Sequence, residues 1–142
     1  MTLVKRIDMA LHVQELCAKN GITVSYVPLD DRRPFYCANR VRNSITIRPT
    51  KNTGYYVSAL HEIGHLIGPA QGRDNDLMEK EIGAWKYAMS VAIVWTDTAS
   101  NVMKRALMSY GMPQGHWDEV FNECRAYAEN YRSLTVGVAN VS

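Results

Sequence analysis

The segment His61-Glu62-Ile63-Gly64-His65 sets two imidazoles four residues apart with a carboxylate beside the first. On a helix, residues four apart lie about 40° apart around the axis, so both rings face one way and can share a metal ion. Glu62 falls next to them, where its carboxylate can take a proton from a water activated at the ion. Two imidazoles plus one carboxylate make a catalytic zinc set with an open fourth position, so Zn2+ is the expected cofactor. Random order would produce the pattern in roughly one chain in two hundred of this composition. It also uses two of the four histidines. The flanks suit a packed helix, because Val57, Leu60, Ile63 and Ile67 are apolar and Gly68-Pro69 stops the run. Gly64 costs about 1 kcal/mol of helix propensity relative to alanine, which marks a place where another group comes close.

Two histidines need a third ligand. The HExxHxxGxxH spacing asks for histidine at 71; Gly68 is in place, but Gln71 stands where the histidine belongs. The next acids are Asp74, Asp76, Glu79 and Glu81. Met78, Ile82, Trp85, Met89 and Ala92 form one apolar stripe of the following helix. At 100° per residue Glu81 lies within about 40° of the centre of that stripe, and Glu79 about 120° away. Asp76 and Glu79 also have the spacing of an Asp-led capping box, which gives Glu79 a structural task at the helix start. A carboxylate on an apolar face is costly unless it is paired or metal-bound. Glu81 is therefore the expected third ligand, with an ion pair to Arg73 as its plainer alternative.

The run of small sheet, HEIGH helix, short loop and Glu79-Lys-Glu81-Ile-Gly-Ala-Trp85-Lys-Tyr-Ala88 resembles the ImmA/IrrE family of small zinc metallopeptidases. Those proteins carry HExGH followed by a helix with an E-x-E-A-N-x-F-A-like signature. Glu79 and Glu81 match its two glutamates and Trp85 its aromatic, while Ile82 and Gly83 replace the alanine and asparagine. The likeness covers roughly residues 1–95, and a zinc-peptidase domain of antirestriction proteins shares a similar E-I-G-A run. Membership would imply a gluzincin-like core with His61, His65 and Glu81 on zinc and Glu62 as general base. It would also imply an origin in bacteria, phages or mobile elements and a substrate such as a repressor or other transcriptional regulator. Without the helix-turn-helix or sensor domain of many relatives, the chain would be a bare catalytic domain.

Other residues have bland readings. His12, between Leu11 and Val13, reads as a surface or packing histidine, and His116 stands near a helix start. Tyr55, Tyr56, Tyr110, Tyr127 and Tyr131 include candidates for the donor that a tetrahedral oxyanion requires, and the sequence picks none. Arg32-Arg33, Arg40, Arg42 and Arg48 make the strand region basic, a solvated face that could steer an acidic protein substrate.

The elements that must hold the site follow an α+β order. Residues 3–19 place Leu3, Ile7, Ala10, Leu11, Val13 and Leu16 at helical spacing, ended by Asn20-Gly21. Alternation over 22–27, a charged turn over 28–34, and short runs at 35–37 and 44–47 predict a small, mostly antiparallel sheet of about three strands. A helical half follows: 55–67 with the HExxH, 77–96 with Glu81, about 99–110, and 117 to about 131. Val102, Ala106, Leu107 and Tyr110 form one expected core stripe; Val120, Phe121, Cys124 and Tyr127 form the other.

The chain has 142 residues, enough for a single domain over 1–134 with a short tail over 135–142. At 46% hydrophobic and 21% charged residues it has ordinary globular composition. A net charge of +2 gives no expectation of direct nucleic-acid or membrane-surface binding. Ala88 to Trp95, the most apolar stretch, is far shorter than the twenty or so residues of a span. The N-terminus lacks the apolar core of a signal peptide. Cys17, Cys37 and Cys124, odd in number and far apart, read as free thiols of a reducing cytosol, so the expected location is cytoplasmic.

Together these point to a zinc metallopeptidase acting on a protein or peptide substrate. The rival is a zinc-holding protein that works by binding, as an inhibitor or a regulator of a host factor. Glu62 favours the enzyme, because a structural site has no use for a carboxylate that is not a ligand. A third, weaker reading is a helical interaction module in which the HExxH is accidental.

Overall fold

The computed structural model describes residues 4–28 and 36–141, with side chains up to Thr135. Leu3, most of the turn expected over 28–34, Arg32-Arg33 and Phe35 lie outside the described residues. The architecture is α+β, five helices around a three-stranded sheet. The order is α1 (Arg6–Lys19), β1 (Thr23–Tyr26), β2 (Cys37–Asn39), β3 (Ser44–Ile47), α2 (Thr53–Ile67), α3 (Leu77–Val91), α4 (Asp97–Ser109) and α5 (Trp117–Val141). A turn of 3-10 helix over Gln114–His116 leads into α5.

The sheet is mixed, with β3 in the middle. β2 pairs with it antiparallel, Ala38 opposite Ile45, and β1 pairs with it parallel, Val24 opposite Ile45. Only one of the two ladders therefore has the antiparallel sense expected for most of the sheet. The β2–β3 hairpin turns through Asn43 at φ 48°, and the Asn43 amide donates to the carbonyls of Asn20 and Gly21. That contact ties the hairpin to the end of α1. Ile45 and Ile47 of the central strand are fully buried beneath α2.

Four of the five helices differ from their expected form. In α1 the inward stripe is Met9, Val13 and Cys17, whereas Ile7 and Leu11 face outward. Helix α3 ends at Val91, before the expected 96. The following Ile93, Val94 and Thr96 are β-branched and poor in helix propensity, and the Thr96 hydroxyl caps α4 by accepting from Ala99 N–H. In α4 the core face is Ala99, Met103 and Leu107, with Val102 and Ala106 packed against it. Tyr110 lies outside that core, 49% exposed. Helical backbone continues to Val141, past the expected end near 131 and through most of the expected tail. No helix among the described residues is long and apolar enough to cross a membrane.

Helix α2 runs through the centre of the protein, and eight of its fifteen residues are buried. Asn52 starts it by accepting from Tyr55 N–H at 3.0 Å. Gly64 explains its neighbour: a Cβ there would lie 2.6 Å from the carbonyl oxygen of Ala84 and 2.9 Å from its Cα. The backbones of α2 and α3 thus touch, which side chains of ordinary size would prevent. Gly83, next to Ala84, permits a similar approach by the loop after α2, where a Cβ would collide with the carbonyl oxygen of Pro69.

Candidate metal centre

The contact at Gly64 brings Glu81 of α3 against the two histidines of α2. Glu81 Oε2 lies 2.9 Å from His61 Nε2 and 2.7 Å from His65 Nε2. One ligand atom from each of His61, His65 and Glu81 falls within 4.8 Å of the others. Glu81 is only 2% exposed, and among the described residues its partners are the two imidazoles and not Arg73. Helical phase explains this, since Glu81 shares the buried face of α3 with Ala84, Trp85 and Ala88.

The other acids are occupied elsewhere. Glu79 N–H donates to Asp76 Oδ1 at 2.8 Å, and Asp76 N–H donates to Glu79 Oε1 at 3.3 Å, closing the expected capping box. Asp74 is exposed. His116 sits in the exposed 3-10 turn. His12 packs against the ring of Tyr56, far along α2 from His65.

Electrostatics follow from burial and pairing. Burial opposes a charge on His61, but hydrogen bonds and the charges of Glu62 and Glu81 outweigh it and raise the pKa of the ring. For Glu81, burial pushes the pKa up, yet the hydrogen bonds and charges of His61 and His65 bring it down to about 2. Glu62 is buried, with Oε1 at 3.4 Å from His61 Nδ1.

Two residues support the histidines in ways the sequence did not disclose. Trp85 stacks on the His61 ring, centroids 4.4 Å apart at 22°. Gln71, dismissed by the metzincin spacing because it is not histidine, meets the far side of His65: its Oε1 lies 3.1 Å from His65 Nδ1. The Gln71 amide nitrogen donates to the carbonyls of Pro69, at 3.0 Å, and Lys80, at 2.7 Å. Those two bonds fix which end of the amide is oxygen, so His65 Nδ1 must carry the proton. With the proton of Nδ1 engaged behind it, Nε2 is the nitrogen that faces Glu81 and the one that would serve as a ligand when an ion is bound. The signal for Gln71 was a buried polar side chain in a short loop directly after the motif.

The site opens on a cleft of about 310 Å3. Glu62, His65, Gln71, Tyr36, Tyr110 and the end of β2 line it, with Arg40 and Lys80 on its rim. Of the five candidate tyrosines, Tyr110 alone among the cleft-lining residues comes from that set. Burial and the nearby carboxylates of Glu81 and Glu62 raise its pKa, so its phenol remains a proton donor. Tyr56 is held by His12 and Ile93, and Tyr127 and Tyr131 line a separate cavity between α1, α3 and α5.

The donor set fits zinc. Two imidazole nitrogens and one carboxylate oxygen, two of the three residues buried and one histidine oriented from behind, could hold a metal ion beside the cleft. Compared with protein-family models, with curated proteins and with solved structures, the chain matches none of them.

Proposed function

We propose that the protein is a zinc-dependent peptidase of the ImmA/IrrE kind, hydrolysing a peptide bond in a protein substrate such as a transcriptional regulator. The observation that carries this reading is the juxtaposition of His61, His65 and Glu81, with His65 and Glu62 lining one cleft. Glu62 contacts the cleft without belonging to the three-residue ligand group, which is what a general base requires and a structural zinc site does not. His61, His65 and Glu81 would hold the ion. When bound, it supplies Lewis acidity toward the scissile carbonyl and the attacking water.

The chain's own groups do the rest. Glu62 accepts a proton from the attacking water and passes it to the leaving amine. Tyr110 donates to the carbonyl oxygen as it gains charge. Gln71 and Trp85 hold His65 and His61 in the orientation that the ion needs. A cytoplasmic location accords with three cysteines that are all free thiols, one of them exposed.

The test is the zinc-reconstituted protein beside its Glu62→Gln variant, assayed on unfolded protein and peptide substrates. The expected result is cleavage by the wild type, with full zinc content but turnover reduced by roughly 10²–10⁴-fold in the variant. Undiminished proteolysis by Glu62→Gln would contradict the assignment of the base.

A further inference from the structure

The cleft brings acidic and basic side chains together. Glu62 lines it, Glu81 is bonded to the cleft-lining His65, and both carboxylates are engaged with imidazoles. Arg40, just past β2, and Lys80, in the first turn of α3, line the same cleft as Glu62 and His65. The Arg40 guanidinium gives one N–H to the main-chain oxygen of Gln71, its one side-chain hydrogen bond among the described residues. The Lys80 ammonium, on a half-buried side chain, makes no hydrogen bond or ion pair among the described residues. The neighbouring acids do not answer these cations, since Glu79 is spent on Asn75 and on the helix cap with Asp76.

Both carboxylates are already paired with imidazoles, and a divalent ion at His61, His65 and Glu81 would add positive charge beside the cleft, where the donors of Arg40 and Lys80 face whatever chain lies there. A charge-assisted hydrogen bond in a partly desolvated cleft is about twice as strong as a neutral one, and a guanidinium matches the planar fork of a carboxylate.

We propose that the cleft selects peptides carrying a carboxylate close to the scissile bond, bound by Arg40 and Lys80; this rests on the peptidase reading above. The carboxylate has two sources, an Asp or Glu side chain or a free chain terminus, and the experiment separates them. The probes are labelled peptides of one scaffold with Glu, Gln or Lys at a central position, each with a free or an amidated C-terminus. Cleavage by the zinc-loaded wild type yields KM and kcat, and binding to zinc-loaded Glu62→Gln is read by fluorescence anisotropy.

The expected result is a KM about tenfold lower for the carboxylate-bearing peptide, the scale of one hydrogen bond to a charged group. The effect lies in KM with kcat little changed, and lysine binds worst. A preference that follows the central residue assigns a side-chain carboxylate, and one that follows the free end assigns the terminus. Either supports the proposal, provided the preference shrinks in Lys80→Gln and Arg40→Gln while zinc content, measured on each variant, stays at one per chain. Lys80→Glu should turn the preference toward the lysine peptide. Cleavage with equal KM for all peptides overturns the proposal and leaves the peptidase reading standing. Carboxylate-dependent binding without cleavage of any peptide overturns the peptidase reading and leaves the selectivity standing.

Discussion

Helix α2 carries two histidine-linked clusters, one toward each end, and they are built on opposite principles. Toward its start, Tyr56 Oη accepts from Ile93 N–H at 3.0 Å and is hydrogen-bonded to His12 Nδ1 at 2.6 Å. Among the described residues no acid is hydrogen-bonded to that ring, and burial lowers the pKa of His12 despite the charge of Glu15. Toward its end, His61 and His65 converge on one carboxylate oxygen beside a cleft, and the pKa of His61 is raised. Burial alone does not distinguish a packing histidine from a ligand. The distinction lies in whether the partner is a neutral group that completes the hydrogen bonds or an anion that leaves room for a cation.

The contrast is sharpest under mutation. Glu62→Gln should reduce turnover by roughly 10²–10⁴-fold, the usual worth of a general base, with zinc content unchanged. A peptide-cleavage assay paired with metal analysis checks both halves of that statement. Gln71→Leu keeps all three ligands but removes the acceptor behind His65 Nδ1. Zinc affinity should fall about 10–100-fold, measured by competition with a chromophoric chelator.

Gly64→Ala forces a Cβ into Ala84 and should cost about 1–3 kcal/mol in denaturant unfolding of the metal-free protein. It should also weaken zinc binding, because the α2–α3 approach carries Glu81 to the histidines. His12→Ala should show the opposite division, with a stability loss of about 1–3 kcal/mol from the unpaired Tyr56 hydroxyl and zinc binding unaffected. If His12→Ala also loses zinc, the two clusters are not separable.

The smallest effect is on pH. His12 has a folded pKa below its ordinary 6.5, so the stability it contributes is fully present above pH 6.5 and is lost as pH falls through the folded value. In His12→Ala that slope of stability against pH should flatten below 6.5, which denaturant titrations at a series of pH values would detect.

Much of this was legible before any coordinates. The phase of α3 separated Glu81 from Glu79, because a 3.6-residue period turns two positions of sequence into more than half a turn of helix. The Asp76 cap and the close approach at Gly64 followed from local chemistry in the same way. Gln71 did not, since motif spacing asks which residues can be ligands and says nothing of the loop path that carries an amide behind a ring. The choice of Tyr110 among the tyrosines depended on how α4 ends against the cleft. The parallel pairing of β1 with β3 depended on which strand takes the middle, and short strands of similar composition do not encode that. In α1, apolar residues occur on both sides of the helix, so spacing alone did not identify Met9, Val13 and Cys17 as the buried face.

Metal content tests the central claim most directly, measured by elemental analysis on the wild type, Glu81→Ala and Glu79→Ala after identical reconstitution and desalting. One zinc per chain in the wild type and in Glu79→Ala, with none retained by Glu81→Ala, is the predicted result. A wild type that holds no zinc, or a Glu81→Ala variant that holds it as well as the wild type does, would contradict the assignment of the site.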